Sequence, residues 1–408
     1  MSVIVQKYGG SSVADPDKIR NVAQRIASSH DKGNQVVVVI SAMGDTTDDL
    51  TSLAHKITDH PDSREMDVLL STGEIVSSAL LTMALHALGY QAISLNGRQA
   101  GIFTDASYSK AKILKVESNR IVKELNDSKI VIVAGFQGST QNSDITTLGR
   151  GGSDTTAVAL AISLKAQVCE KLTDVEGIYT ADPRICPDAR KLKDIAYDEM
   201  LELTSSGNKV LHIRAVELAG AYNMPILVAS SFNDNPGTLI HGGDSMDSME
   251  VRNKVRGIAH DMDVAKVTLT GIPNQPGVAA AIFEPLSKAG ISVDTIVQNA
   301  FKENVTDLTF TVSRGDLKKA NDVIKSIAKS IKAKEVVTDA RLGKVSIVGT
   351  GMQNSPGYAS KMFSALSRAG INIQLITTSE IRITCVIEEA KVKEAVLALH
   401  RAFELEKD

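Results

Sequence analysis

Thr146-Thr147-Leu148-Gly149-Arg150-Gly151-Gly152-Ser153-Asp154-Thr155-Thr156 is the stretch whose reading decides the fold. Before it stands the apolar run Ile130-Val131-Ile132-Val133-Ala134, short enough for one buried strand. After it, Thr155 to Ala166 is rich in alanine and leucine and free of Gly and Pro, so it reads as a helix. Between them lie three glycines, Arg150 and two candidate helix N-caps, Ser153 and Asp154. A strand, a glycine-rich loop and a helix N-terminus offer bare backbone N–H groups at the positive end of a dipole. That is a place to hold an anion, phosphate above all. Arg150 adds a planar fork that fits a carboxylate or phosphate. A tight turn capped by Ser or Asp would carry the same glycines and is common, but an arginine inside the cluster tilts the reading towards function.

Working outward, other loops repeat the theme. Val3-Ile4-Val5 runs into Lys7-Tyr8-Gly9-Gly10-Ser11-Ser12 and then a helix from about Pro16 to Ser29. The lysine precedes the glycines, so this is no Walker A loop, and Gly149-Arg150-Gly151-Gly152-Ser153-Asp154 does not complete G-x-G-x-x-G. Lys7 alone reads equally as a solvated lysine at a strand end. Gln35 to Ile40 is a buried strand entering Ser41-Ala42-Met43-Gly44-Asp45-Thr46-Thr47-Asp48. Arg64 to Leu88 is helical with an expected break at Ser71-Thr72-Gly73-Glu74, which makes Glu74 either a first-turn acid or a ligand for an amine. Val168 to Asp174 leads as a strand into Val175-Glu176-Gly177-Ile178-Tyr179-Thr180-Ala181-Asp182-Pro183-Arg184, and Ser206 to His212 opens a long helix through Ala221. His212 is expected to pack or cap within that helix. Strands alternating with helices give a parallel sheet covered on both faces, with function at the carboxyl ends of the strands. Lys7, Arg150, Arg184 and Lys209 gather cations there, and phosphoryl transfer needs cations and N–H groups around the moving group plus a metal across the nucleotide phosphates.

The 408 residues predict two or three domains, and 43% hydrophobic with 23% charged residues is an ordinary soluble composition. A net charge of −3 with no long run of either sign points to neither nucleic acid nor membrane. Cys169, Cys186 and Cys385 show no CxxC spacing, which fits a reducing compartment and no protein-held metal. No signal peptide opens the sequence and no apolar stretch is expected to approach about 20 residues, so a cytoplasmic protein without a membrane span is expected.

In this order the motifs Lys7 to Ser12, Ser41 to Thr47, Ser71 to Glu74, Thr147 to Thr155, Thr173 to Arg184 and Lys209-Val210-Leu211-His212 resemble the aspartate kinases of the amino-acid kinase superfamily. The resemblance covers the first two-thirds of the chain and implies ATP-dependent phosphorylation of the side-chain carboxylate of L-aspartate, giving 4-phospho-L-aspartate. By carry-over, Lys7 bridges the transferring phosphate and the acceptor, with Ser153 and Asp154 at the reaction centre. Thr47, Glu74, Arg150, Gly151 and Gly152 hold aspartate, the acid on its amine and the arginine on its α-carboxylate. Tyr8, Gly9, Gly10, Ser41, Thr173, Asp174, Tyr179, Asp182, Arg184, Lys209 and Val210 join Lys7 around ATP, and Mg2+ is held mainly through the nucleotide phosphates. Lys171-Leu172 and Asn208 depart from the family pattern and bear on purine contact. From below, an aspartate carboxylate with an ordinary pKa of about 3.9 is already a nucleophile and needs no general base. The obstacle is its like-charge approach to a triphosphate.

The last third repeats itself. Lys266-Val267-Thr268-Leu269-Thr270-Gly271 resembles Lys344-Val345-Ser346-Ile347-Val348-Gly349, and two further matches, at Pro276-Gly277 with Pro356-Gly357 and at Ala289-Gly290-Ile291 with Ala369-Gly370-Ile371, recur eighty positions on. Each unit reads strand, Pro-Gly turn, helix, strand, strand, helix, a ferredoxin-like order. It resembles the ACT domain, an amino-acid sensor; two units building only a dimer surface is the plainer alternative. The expected architecture is α/β, a three-layer parallel-sheet amino-acid kinase domain (1–240), a linker (241–262) and two ferredoxin-like ACT units (263–340 and 341–408). Val255 to Asp261 belongs to the first unit or crosses to the other. The resemblance implies lysine and/or threonine as effectors at Asn274, Pro276, Gly277, Val278, Ala279, Asp294, Gln298, Asn354, Asn372, Ile373, Ser379 and Glu380. It also implies a homo-oligomer through the ACT units, and Met246, Met249 or Met262 could start a short regulatory subunit. A kinase for glutamate, acetylglutamate or a nucleotide, and a catalytically silent amino-acid sensor, are the rival readings.

Overall fold

The computed structural model describes residues 2–243, 255–300, 304–352 and 355–407. The chain divides into two compact units, Met1–Tyr179 with Lys191–Thr204 and Lys209–Glu250, and Thr180–Arg190 with Ser205–Asn208 and Val251–Asp408.

The first unit contains β1 (Val3–Tyr8), β2 (Gln35–Ile40), β3 (Ala92–Leu95), β4 (Ile102–Thr104), β5 (Ile113–Val116) and β6 (Ile130–Ala134). Then come β7 (Gln137–Ser139), β8 (Ile145–Thr147), β9 (Val168–Thr173), β10 (Asp194–Ala196), β11 (Ile226–Ser230) and β12 (Thr238–His241). Its helices are α1 (Pro16–Asp31), α2 (Thr46–Ile57), α3 (Ser63–Ala87), α4 (Asn119–Asn126), α5 (Gly152–Ser163), α6 (Tyr197–Ser205) and α7 (Ile213–Tyr222). The main sheet has the order β10-β12-β11-β9-β1-β2-β6-β3. All its pairs from β11 to β3 are parallel, and β12 turns antiparallel against β11. Val36 to Ile40 and Ile130 to Ala134 are wholly buried, as strands covered on both faces must be. A second, four-stranded sheet, β5-β4-β7-β8, was not anticipated. Its β7 and β8 stand between β6 and the glycine loop; at three residues each they are too short to show a period.

Helix α3 also corrects the sequence reading, because it runs unbroken through Ser71-Thr72-Gly73-Glu74. Gly73 serves close packing here: a Cβ on it would lie 2.9 Å from the Ala42 Cβ. At 25 residues α3 is the one described helix long and apolar enough to cross a membrane by length and composition, contrary to the expectation of no such stretch. It packs on α1, α2, β3, β6 and β8 and buries Asp67, Ser71, Glu74 and Ser77, as a core helix does.

The second unit holds β13 (Gly257–Pro273), β14 (Ile296–Ala300), β15 (Val305–Val312), β16 (Glu335–Val348), β17 (Leu375–Thr378) and β18 (Arg382–Glu388). Helices α8 (Val278–Lys288), α9 (Leu317–Ile327), α10 (Tyr358–Arg368) and α11 (Val392–Ala402) cover the antiparallel sheet β14-β15-β13-β16-β18-β17. The repeats share their central strands. Gly257 to Asp261 pairs with Val348 to Lys344 of the second repeat, whereas Lys266 to Thr270 pairs with Asp339 to Glu335. The hard-to-place segment therefore crosses over, and Gly257 to Met262, expected in the linker, is strand. Residues 244–254 of that linker, with Met246 and Met249, lie outside the described residues, and His241 ends β12. One core joins Ile282, Leu286, Phe310 and Ile324; the other joins Ile347, Met362, Leu366 and Leu399 and takes in Ala181 and Cys186 from the Thr180–Arg190 segment. That segment is tied down by Ile258 N–H donating to the Thr180 carbonyl at 2.7 Å and by a 2.9 Å bond between Thr180 Oγ1 and His400 Nε2.

Candidate active site

Parallel pairing sets the carboxyl ends of β1, β2, β6, β9 and β11 along one edge of the main sheet. Backbone bonds stitch that edge together: Ser41 N–H to the Tyr8 carbonyl, Gly135 N–H to Ile40 and Ser231 N–H to Thr173. Gly10 is needed for close approach, since a Cβ there would lie 2.7 Å from the Ala42 carbonyl oxygen.

The glycine loop is held from three sides. Buried Asp67 accepts from Thr147 N–H at 2.8 Å, Thr147 Oγ1 at 2.7 Å and Ser109 N–H at 2.9 Å. Arg214 donates to the carbonyls of Leu148 at 2.6 Å and Ala111 at 3.0 Å. Gly151 has φ +70°, and a Cβ on it would stand 2.2 Å from the His212 ring. Gly151, not Ser153 or Asp154, is the N-cap of α5, and no side chain caps that end. The two predicted caps sit inside the first turn, where the Asp154 carboxylate turns towards the sheet.

There it meets two lysines. Lys7 Nζ lies 2.9 Å from Asp154 Oδ1, and Lys171 Nζ lies 2.5 Å from Oδ2. All three side chains are buried. Burial alone would raise the Asp154 carboxyl, but the charges of Lys171 and Lys7 outweigh it and hold the group well below the usual carboxylate range. Burial carries the Lys171 ammonium below its ordinary value; Asp154 opposes that shift and Lys7 adds to it. Lys171 is thus engaged by the Asp154 carboxylate.

Glu74 is buried on α3, with Oε1 accepting from Ala42 N–H at 3.2 Å and Oε2 without a hydrogen-bond partner among the described residues. Burial pushes its carboxyl up to about 7, opposed by backbone hydrogen bonds and by the charge of Lys7. A buried, half-satisfied carboxylate beside a lysine is suited to receiving an ammonium group. Thr47, half-buried, lies in the first turn of α2. Arg150 and Lys209 are exposed, and neither has a hydrogen bond or ion pair among the described residues.

Other predicted positions fall less neatly. Tyr8 is wholly buried, its hydroxyl donating to Gln6 at 3.3 Å, so its ring belongs to the core. Thr173 Oγ1 donates to exposed Asp174 at 3.1 Å, and Tyr179 is half-buried, its hydroxyl pushed up by burial and by Glu176. Val210 is half-buried and His212 precedes α7 as its N-cap residue, so the helix itself begins at Ile213. Asp182 and Arg184 belong to the second unit, where they pair with each other at 2.8 and 3.0 Å. Asn208 also falls in that unit. Among the described residues no three His, Cys, Asp or Glu cluster as metal ligands. The sequence reading missed Asp67 altogether, and saw Lys171 only as a departure; a lysine within a strand of buried residues was the available signal.

In the second unit, α8 and α10 begin after Gly277 (φ +94°) and Gly357 (φ +110°), both in the left-handed region. Asn274, Pro276, Gly277 and Ala279 are exposed and Val278 is half-buried. Asp294 is engaged by Lys344 at 2.6 Å. Gln298, Ser379 and Glu380 are exposed, and Asn372 and Ile373 line a hollow of about 490 Å³ with Phe363 and Ile371. Asn354 lies outside the described residues.

A family model described as the amino acid kinase family matches residues 2–230, and two models described as the ACT domain match residues 266–329 and 345–403. The aspartate kinase of Pseudomonas putida is 50% identical over 406 residues, covering 100% of this chain and 98% of its own length. The crystal structure of E. coli aspartokinase III in complex with aspartate and ADP, in the R-state, is similar with a TM-score of 0.82 and 26% identity, over 98% of this chain and 99% of that one. The same enzyme in complex with lysine and aspartate, in the T-state, gives 0.76 and 25% with the same coverage.

Proposed function

We propose, from the premise that this chain belongs to the aspartate kinases, that Lys7, Ser153 and Asp154 form its reaction centre and that Thr47, Glu74, Arg150, Gly151 and Gly152 hold its acceptor. Membership makes the chain an ATP-dependent phosphotransferase acting on the side-chain carboxylate of L-aspartate, at the first step towards lysine, threonine and methionine. It also sets aside the silent sensor. The observation that carries the residue assignment is buried Glu74, with one oxygen unpartnered and within the field of Lys7.

The substrate ammonium binds Glu74, and Arg150, without a hydrogen bond or ion pair among the described residues, takes the α-carboxylate. The side-chain carboxylate then points to the lysine cluster. Its oxygen forms the new bond to the γ-phosphorus as the bond to the β-phosphate oxygen breaks, and ADP leaves with that electron pair. No proton moves. Lys7, aimed by Asp154, stabilises charge on the moving phosphoryl. ATP lies along Gly9, Gly10, Ser41, Thr173, Asp174, Tyr179 and Lys209. Both oxygens of Asp154 face lysines, which fits a metal carried by the nucleotide rather than by a protein cage. Mg2+ bound across the phosphates would neutralise part of their charge.

Lysine and/or threonine act at the ACT repeats. Support comes from the helix N-termini after Gly277 and Gly357, which suit a carboxylate, and from Asp294, whose present partner Lys344 is itself an ammonium. The E. coli relative was crystallised with lysine, and an effector of that chemistry would exchange with Lys344. We further place the enzyme in the cytoplasm, with three buried free thiols, as a homo-oligomer through the sheet edges β14 and β17; a short regulatory subunit would share those edges.

The test of the acceptor site is Arg150→Ala. Losing one partner of a charge pair that is desolvated in the complex costs about 2–5 kcal/mol, so the aspartate KM should rise at least about 30-fold while the ATP KM stays within a few-fold. An aspartate KM within threefold of the parent would remove Arg150 from the site.

A further inference from the structure

We propose that Lys171 is a positioning residue of the phosphoryl-transfer centre, holding the Asp154 carboxylate so that its other oxygen presents Lys7. The inference rests on the placement of Lys7 and Asp154 at that centre. It adds a residue that neither oxygen of the acceptor nor any phosphate need touch.

The argument begins with register. Strands β1 and β9 are parallel neighbours, and Lys7 is the register partner of Lys171. Paired residues on adjacent strands point to the same face, so two ammonium groups emerge side by side. Helix α5 packs over both strands on that face and supplies Asp154 from its first turn. The three charges therefore come from three elements, and each carboxylate oxygen has its own lysine.

This arrangement is surplus to what folding requires. One lysine would satisfy one carboxylate, and an apolar side chain at 171 would fill a buried strand position without desolvating a second charge. What the second lysine supplies is orientation and charge. A carboxylate held by one cation can swing and draw that cation inward. Held at Oδ2 by Lys171, it offers Oδ1 to Lys7 in a fixed direction. The cluster is left with one excess positive charge beside the position of the moving phosphoryl. The other titratable groups do not cancel it. The Cys169 thiol is pushed up and stays neutral, His212 is pulled down by burial, and Glu74 is reserved for the substrate ammonium.

The experiment compares Lys171→Met, Lys171→Gln, Lys171→Arg, Asp154→Asn, the Asp154→Asn/Lys171→Met double variant and Lys7→Ala, all in the full chain. Folding is followed by thermal unfolding, and kcat and both KM values by ADP release. Misplacing a catalytic group by about 1 Å typically costs on the order of 100-fold in rate, so Lys171→Met and Lys171→Gln should lower kcat by roughly that factor with both KM values within threefold. Lys171→Arg should recover at least about tenfold of the loss, because it restores the charge on Asp154. If Lys171 acts through Asp154, the double variant is no slower than Asp154→Asn alone. Two results would overturn the proposal: either neutral variant retaining kcat within threefold while Lys7→Ala is inactive, or losses that multiply in the double variant. An active Lys7→Ala would instead bring down the underlying site assignment. Met and Gln fill the position differently, so a folding failure of one leaves the other to decide.

Discussion

The two kinds of glycine turn in this molecule share a backbone and differ in their surroundings. Gly151 before α5, and Gly277 and Gly357 before α8 and α10, are all left-handed N-caps with no side-chain cap. Around Gly151 the space is full: the His212 ring lies where a Cβ would go, and Asp67 and Arg214 hold the adjoining chain. Around Gly277 and Gly357, chain neighbours aside, no atom of the described residues lies within 4 Å of an added Cβ. The acids follow the same division. Glu74 and Asp154 are buried, whereas Asp294 and Glu380 are exposed. A site for transition-state charge needs donors fixed before the substrate arrives, and packing fixes them. A sensing site must change on binding, and an open turn leaves room for a ligand or a second chain to complete it.

The sharpest way to break this comparison is to put the same methyl group on both turns. Gly277→Ala should cost only the left-handed backbone penalty, about 1–2 kcal/mol. Gly151→Ala bears that penalty and must also displace the His212 ring, adding roughly 1–3 kcal/mol of overpacking, and should lose most turnover. Denaturant unfolding and kcat measured side by side decide it; equal stability losses would mean that the packed turn yields as readily as the open one.

A smaller effect is expected from pH. With its carboxyl at about 7, Glu74 is largely protonated at pH 6 and largely ionised at pH 8. Only the ionised form pairs with the substrate ammonium, so the aspartate KM should fall by about tenfold between pH 6 and pH 8. Glu74→Gln should flatten that dependence. Stability runs the other way. The folded value lies above the ordinary 4.5. The neutral buried acid therefore contributes its full stability below that value and loses it as pH rises through about 7. A KM profile that is the same in Glu74→Gln and the parent would detach Glu74 from the amine.

The smallest effect belongs to the open sites. Gln298, exposed on the edge strand β14, offers one neutral hydrogen bond to an effector, worth about 1 kcal/mol. Gln298→Ala should therefore raise the half-inhibiting concentration of lysine or threonine roughly fivefold. Inhibition titrations check this, and an unshifted curve would place the effector away from β14.

The sequence alone determined the alternation of the main buried strands, glycine turns and helices around the site, because apolar runs and glycine turns are local signals that survive without partners. Val36 to Ile40 and Ile130 to Ala134 had to be covered strands, and the eighty-residue spacing of the Pro-Gly turns announced two similar units. It also supplied Lys7, Glu74, Arg150 and Asp154 as the charged groups of interest, through motif resemblance. What it left undecided was every fact that depends on which strand lies beside which. The close approach of Ala42 to Gly73 on an unbroken α3, and the crossing of Gly257 to Asp261 into register with β16, are facts of this kind. The Lys7–Asp154–Lys171 cluster joins Lys7 to two residues more than 140 positions further along the chain, and only the pairing of β1 with β9 under α5 brings them together. Periodicity reports which face of an element is buried. It carries no information about the neighbour on that face, and a buried charge is defined by its neighbours.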